Sequence, residues 1–304
     1  MATGQYIGVN GVARKVVSPY VGVEGVARNV KNGYVGVDGV ARLFFAPERG
    51  NVVLEVEKIT SDTYANDTQY TAEEFILLDI YPKTNGTVKV TYGGLTKTIT
   101  DTSGAEEPNA QQVFFGTFNG VSDSVATPSS GELTIEGDYY AFGCGAYRCS
   151  NKDTMYNCTC VTAICDFGKV EQIPDQAFNA GTRAGSASYF VLTGELIISD
   201  PIKTIGEAAF SDHDITDVTL SNSVTFIGNA AFGRCPMLKT VSILATIPPT
   251  LGIRLADGKY AQFMDNMNSD AIYLESIIVP KGCGSVYKAA EGWSTYANYI
   301  VEAT

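Results

Sequence analysis

One histidine, His213, is all that the 304 residues contain. Acyl-transfer triads and most general acid–base sites rely on an imidazole, so this scarcity removes the commonest catalytic arrangements. His213 itself falls in Ser211-Asp212-His213-Asp214, a polar run that reads as a solvated loop. Charged residues are sparse at 18%, and the net charge of −12 with no Lys/Arg run argues against nucleic acid as a partner. No apolar stretch is long enough to span a bilayer, and Met1-Ala2-Thr3-Gly4-Gln5 carries no basic segment followed by an apolar one. Neither membrane insertion nor a secretory signal peptide is therefore expected, and synthesis in a cytoplasm is. Seven cysteines are present, at 144, 149, 158, 160, 165, 235 and 283, but no C-x-x-C pair is among them. The cluster from Cys144 to Cys165 reads as structural, with a zinc site or late disulfides as the alternatives. Gly143-Cys144-Gly145 and Gly282-Cys283-Gly284 lead into no Lys-Ser/Thr helix start, so they are not phosphate loops. Carboxylate pairs such as Glu73-Glu74 and Glu106-Glu107 read as solubility. No catalytic residue, metal site or cofactor is expected, and a two-carboxylate glycosidase is the one enzymatic option left open.

What is present is repetition. Tyr6-Ile7-Gly8-Val9-Asn10-Gly11-Val12-Ala13-Arg14 returns as Tyr20 to Arg28 and as Tyr34 to Arg42, a period of 14 residues. Each unit sets Asn10-Gly11, Glu24-Gly25 or Asp38-Gly39 between short β-branched runs. Asn-Gly and Asp-Gly favour type I′ hairpins, whose two turn positions both need positive φ. Three small hairpins cannot bury a core alone, so they must stack on each other, on sister chains or on a partner. Residues 1–45 hold five basic and two acidic residues, a local surplus of +3 that leaves −15 for the remainder. A basic arm on an acidic body suggests docking to an acidic protein surface through Arg14, Arg28 and Arg42. The repeat resembles the tandem Tyr-Val-Gly-Val-Asp-Gly-Val-Ala-Arg hairpins of structural proteins from phages and prophages of Gram-positive bacteria. That resemblance implies a virion component, made in the host cytoplasm, with capsid or tail proteins as partners.

Thirty-one glycines, seventeen tyrosines and many Thr, Ser and Val residues lean toward β structure. From residue 46 to about 150, short strands alternate with turn signals. Val52 to Ile59, Phe75 to Ile80, Thr87 to Tyr92, Leu95 to Ile99, Val113 to Phe118 and Glu132 to Ile135 are predicted to form an immunoglobulin-like β-sandwich. No Cys-Trp-Cys signature is present, so only the architecture is implied.

Residues 151–304 carry a second repeat. Ile173-Pro174-Asp175-Gln176-Ala177-Phe178, Ile205-Gly206-Glu207-Ala208-Ala209-Phe210 and Ile227-Gly228-Asn229-Ala230-Ala231-Phe232 match one another, and the last two phenylalanines lie 22 residues apart, a leucine-rich-repeat period. Strand blocks sit between them: Leu196-Ile197-Ile198, Val218-Thr219-Leu220, Val241-Ser242-Ile243 and Ile277-Ile278-Val279. The expected coil is a strand, a turn, and Ala-Phe on a short helical turn, with the Phe at the centre. These blocks resemble the BspA-type leucine-rich repeat, and Cys235 follows Phe232 at the matching place. The segments Leu274 to Pro280, Tyr287 to Ala290 and Trp293 to Tyr296 resemble the end of such an array. Asn179 to Gly194 and Thr250 to Asp270 read as interruptions. Members of that family are mostly surface or secreted binding modules, which implies recognition without naming a ligand.

The whole is thus read as mainly β: hairpin repeats over 1–45, a sandwich over 46–150 and a leucine-rich-repeat solenoid with short helices over 151–304. Val218, Leu220, Val241, Ile243, Ile277 and Val279 should point inward. Their neighbours form two outward columns, Glu195, Asp217, Thr240, Ser276 and Ile197, Thr219, Ser242, Ile278. Asp217, Thr219, Thr240 and Ser242 are the candidate ligand contacts, for a host cell-surface glycan or protein. The expected role is a tail fibre, receptor-binding or capsid-decorating protein that forms a homo-oligomer, a trimer by the fibre reading. A bacterial cell-surface or secreted adhesin is the alternative.

Overall fold

The computed structural model describes residues 51–60, 74–101, 111–118, 121–143, 160–180, 192–252 and 274–304, together with the strands of the N-terminal repeats. Strand makes up 49% and helix 6%, so the protein is mainly β. It divides into two compact units, Met1–Gly50 with Ala303–Thr304, and Asn51–Glu302.

In the first unit, β1 (Tyr6–Val9) pairs with β2 (Val12–Lys15), β3 (Tyr20–Val23) with β4 (Val26–Asn29), and β5 (Gly33–Val37) with β6 (Val40–Phe45). These are three separate antiparallel pairs, with Val9 opposite Val12, Val23 opposite Val26 and Val37 opposite Val40. The turn pairs Asn10-Gly11, Glu24-Gly25 and Asp38-Gly39 lie outside the described residues. Arg14, Arg28 and Arg42 occupy one register position, opposite Ile7, Val21 and Val35.

The second unit begins with a sandwich. Its strands are β7 (Val52–Glu57), β8 (Ile59–Thr60), β9 (Glu74–Pro82), β10 (Thr87–Tyr92), β11 (Leu95–Thr100), β12 (Gln111–Phe118), β13 (Val121–Ser122), β14 (Ser130–Gly137), β15 (Tyr139–Gly143) and β16 (Val161–Phe167). One sheet runs β11-β10-β14-β7-β16 and the other β13-β12-β9-β15, with β8 also on β9. All pairings are antiparallel, and alternation sends Val52, Leu54, Val56, Val88, Val90 and Tyr92 inward from one sheet. Ile76, Leu78, Ile80, Val113 and Phe115 come from the other. Tyr92 meets Phe115 edge-on at 5.7 Å, and its hydroxyl donates to the Pro128 carbonyl at 2.8 Å.

β13, β15 and β16 are not among the strands expected from the sequence. β15 completes the second sheet, and β16 completes the first at residues assigned above to the solenoid. The sandwich thus reaches Phe167 and abuts the repeats directly. Cys144, Cys149 and Cys158 lie outside the described residues. Cys160 is buried with its thiol toward the Leu77 carbonyl at 3.4 Å, and Cys160, Cys165, Cys235 and Cys283 are in no disulfide.

The solenoid has about four turns. Its strands are β17 (Gln172–Ile173), β18 (Thr193–Ile198), β19 (Thr204–Ile205), β20 (Asp214–Leu220), β21 (Phe226–Ile227), β22 (Thr240–Ile243), β23 (Thr250–Leu251), β24 (Ser276–Val279) and, after helix α1 (Gly284–Ala289) and a 3-10 turn at Trp293–Tyr296, β25 (Ile300–Glu302). They form two parallel ladders, β17-β19-β21-β23 and β18-β20-β22-β24-β25. Between the ladders runs a file of rings. Phe178 stacks on Phe210 at 5.2 Å and Phe210 on Phe232 at 5.5 Å, with interplanar angles of 10° and 5°.

The Ile-Gly-x-x-Ala-Phe block owes its composition to this stacking. A Cβ on Gly206 would stand 2.4 Å from the Asp175 nitrogen, and one on Gly228 2.5 Å from the Glu207 nitrogen, so each glycine lets a coil lie directly on the one before. The residue before Ala-Phe is left-handed in every copy: Gln176 at φ 58°, Ala208 at 50° and Ala230 at 50°. That unfavourable backbone lets the Gln176 and Ala208 N–H groups donate to Glu207 and Asn229 carbonyls of the next coil, at 2.7 and 2.9 Å. The expected short helical turn is a hydrogen-bonded turn. Leu251-Gly252, taken above for an interruption, is a fourth copy of Ile-Gly: β23 continues the short ladder, and a Cβ on Gly252 would meet the Asn229 nitrogen at 2.7 Å.

Both ends of the array are covered, as a stack of coils requires. At its start, Phe142 of β15 meets Phe178 edge-on at 5.6 Å, and a Cβ on Gly143 would lie 2.7 Å from the Ala177 carbonyl. At its end, Tyr287 donates to the Ala245 carbonyl and Trp293 Nε1 to the Pro249 carbonyl, each at 2.7 Å. Glu302 accepts the Gly282 and Gly284 N–H groups at 2.9 Å, which fixes α1 against β25 and lowers the carboxyl's pKa.

Candidate binding surface

Parallel strands are usually covered on both faces, but among the described residues the long ladder of the solenoid is covered on one. Val218, Leu220, Val241, Ile243, Ile277 and Val279 are all buried, as their alternation predicts. The opposite face is set by register. Glu195 pairs with Asp217, Asp217 with Thr240 and Thr240 with Ser276. Ile197, Thr219, Ser242, Ile278 and Val301 form the second column, each paired to the next.

Asp217, Thr219, Thr240 and Ser242 thus occupy a two-by-two block on neighbouring coils, about 4.8 Å apart. All four are partly exposed. The face is held laterally by polar contacts: Thr219 Oγ1 donates to Glu195 Oε1 at 3.2 Å, and Thr216 Oγ1 to Asp217 Oδ2 at 2.7 Å. Lys239 and Glu275 make an exposed pair at 3.3 Å beside it. The side chains are short and regularly spaced, with no aromatic among the paired residues. Such a surface offers hydrogen bonds to an extended or flat ligand rather than a pocket.

His213 stands away from this face and is not the solvated residue expected. It is fully buried, accepting the Leu192 N–H at Nδ1 (3.1 Å) and donating from Nε2 to the Phe178 carbonyl (2.5 Å). Burial holds its pKa down to about 4, against the smaller opposing pull of the Phe178 carbonyl and Asp214. Its neighbour Asp212 is salt-bridged to Arg234 of the next coil. Polar residues after an Ala-Phe block, which read as loop in the sequence, here fasten one coil to the next. Among the described residues no cluster of His, Cys, Asp and Glu could hold a metal ion, and no helix is long and apolar enough to cross a membrane.

The fold and its open face define a leucine-rich-repeat solenoid attached to a β-sandwich. Residues 188–250 match the BspA type leucine-rich repeat region, in six copies. Such repeats imply a surface adhesin-like repeat protein. No curated protein matches the chain.

Proposed function

We propose that this chain is a virion structural protein: a tail fibre, receptor-binding protein or capsid-decorating fibre that attaches through residues 1–45 and turns its solenoid toward the host surface. The observation that carries the adhesive half is the parallel ladder with one uncovered face, on which Asp217, Thr219, Thr240 and Ser242 are aligned by register. Contacts from so small and polar a block are weak singly and gain strength when copies are clustered. A homo-oligomer, a trimer by the fibre reading, supplies that clustering. Attachment by the arm rests on the three β pairs, each too small to be stable alone, and on their basic surplus over an acidic body. No enzymatic step belongs to this reading.

Deletion of residues 1–45 tests it. The truncated chain should remain soluble and folded but be absent from purified particles, while the full chain is labelled on them in electron micrographs. Normal incorporation of the truncated chain would end the docking assignment. The second reading is a bacterial cell-surface or secreted adhesin, with which the BspA-type repeats are equally compatible. Label on the cell envelope in the absence of particles would favour it.

A further inference from the structure

Lys97 lies on β11, the outermost strand of the first sandwich sheet, and Asp123 directly follows β13, the outermost strand of the second. They meet across the open edge of the sandwich, with Nζ 2.5 Å from Oδ1 and side chains only 25% and 9% exposed. Each remaining polar atom of the pair has its own backbone partner. Nζ also donates to the Phe114 carbonyl at 2.5 Å, and Asp123 Oδ2 accepts the Gly116 N–H at 2.9 Å. The Asp123 N–H in turn donates to the Gly116 carbonyl at 3.0 Å, so the acid cannot swing away. Two rings cover the amine, with the centroids of Phe114 and Phe115 at 4.1 and 5.0 Å.

We propose that Lys97 and Asp123 condense to an intramolecular amide that straps the two sheets together. The Nζ–Oδ1 contact supplies the path for the one proton that must move before the nitrogen can attack. A proton passing from Nζ to Oδ1 leaves a neutral amine facing a neutral carboxylic acid. The Nζ lone pair attacks Cγ, and the Phe114 carbonyl holds a remaining N–H, which orients that lone pair. Negative charge then develops on Oδ2, where the Gly116 N–H already points, as a backbone donor serves a tetrahedral intermediate. The Cγ–Oδ1 bond breaks and Oδ1 leaves as water, taking a second proton from the nitrogen. The balance is one ammonium and one carboxylate giving one amide and one water, with no other reactant. The product closes the edge of the sandwich, the module between the arm and the solenoid, with a covalent bond.

Mass spectrometry of the full-length protein, denatured and digested, decides the matter. The expected result is an intact mass lighter than the sequence by one water, and a branched peptide joining Lys97 to Asp123. Lys97→Arg, which keeps the charge but removes the nucleophile, should restore the full sequence mass. A wild-type mass equal to that of the sequence would show an ion pair only and overturn the proposal. So would loss of water that persists in Lys97→Arg.

Discussion

In the sandwich, β7 finds its partners in β14 and β16, far down the chain; in the solenoid, β20 pairs with β18 and β22, one coil to either side. The two regions make similar β ladders but carry their stability differently. The sandwich buries alternate side chains between two sheets through which the chain passes repeatedly. The solenoid adds one coil at a time, and each coil depends on its neighbours for its ring stack, its glycine contact and its hydrogen bonds. Damage to one solenoid position should therefore spread along the array. Phe142 links the two regions, packing edge-on against Phe178 at 5.6 Å and tilted against Phe167 of β16 at 6.3 Å.

The largest effect expected from this difference follows removal of a stacked ring. Phe210→Ala or Phe232→Ala should lower stability by about 3–5 kcal/mol, the usual range for an emptied phenylalanine site. Chemical denaturation measures it, and a loss below about 1 kcal/mol would mean that the rings do not form a stacked core.

Acid should separate the regions next, since His213 is in the solenoid and the sandwich has no histidine. The folded pKa of about 4 lies below the ordinary 6.5. Between those values the unfolded chain binds a proton that the folded one refuses, so stability is complete above pH 6.5 and falls as the pH drops toward 4. At about 1.4 kcal/mol per pKa unit, the loss is roughly 3 kcal/mol. Carboxylates titrate over part of the same range, so the comparison is with His213→Gln, whose amide stays neutral. If both proteins lose stability in parallel from pH 6.5 to pH 4, His213 is not held neutral by the fold.

A smaller change tests coil spacing. Gly228→Ala places a methyl group where a Cβ would meet the Glu207 nitrogen at 2.5 Å, backbone against side chain. About 1–3 kcal/mol should be lost, as for other overpacked sites. An unchanged denaturation midpoint would show that the coils can move apart freely. The least effect is expected at the exposed columns, where Thr240→Ala or Ser242→Ala should alter stability by no more than about 0.5 kcal/mol. A larger loss would mean that these residues build the ladder rather than face a ligand.

The same contrast explains what could be read from the sequence. In the solenoid, neighbours in space are neighbours in the repeat, so Ile205, Ile227, Phe210 and Phe232 announce their own contacts, and the outward columns follow from period-two alternation. In the sandwich, β15 and β16 are recruited by sheet edges that the sequence does not mark. His213 was misread because its partners, the Phe178 carbonyl and the Leu192 N–H, are backbone groups of other segments, which no motif displays. Leu251-Gly252 escaped notice because no Ala-Phe follows it.

The most direct test of the account is adsorption. Particles carrying Asp217→Lys together with Thr219→Arg, which reverse the charge and crowd the centre of the exposed block, should assemble normally and bind host cells measurably less than wild type. Unchanged adsorption by fully assembled particles would contradict the account, leaving the face as plain solvated sheet and the protein as a spacer or decoration.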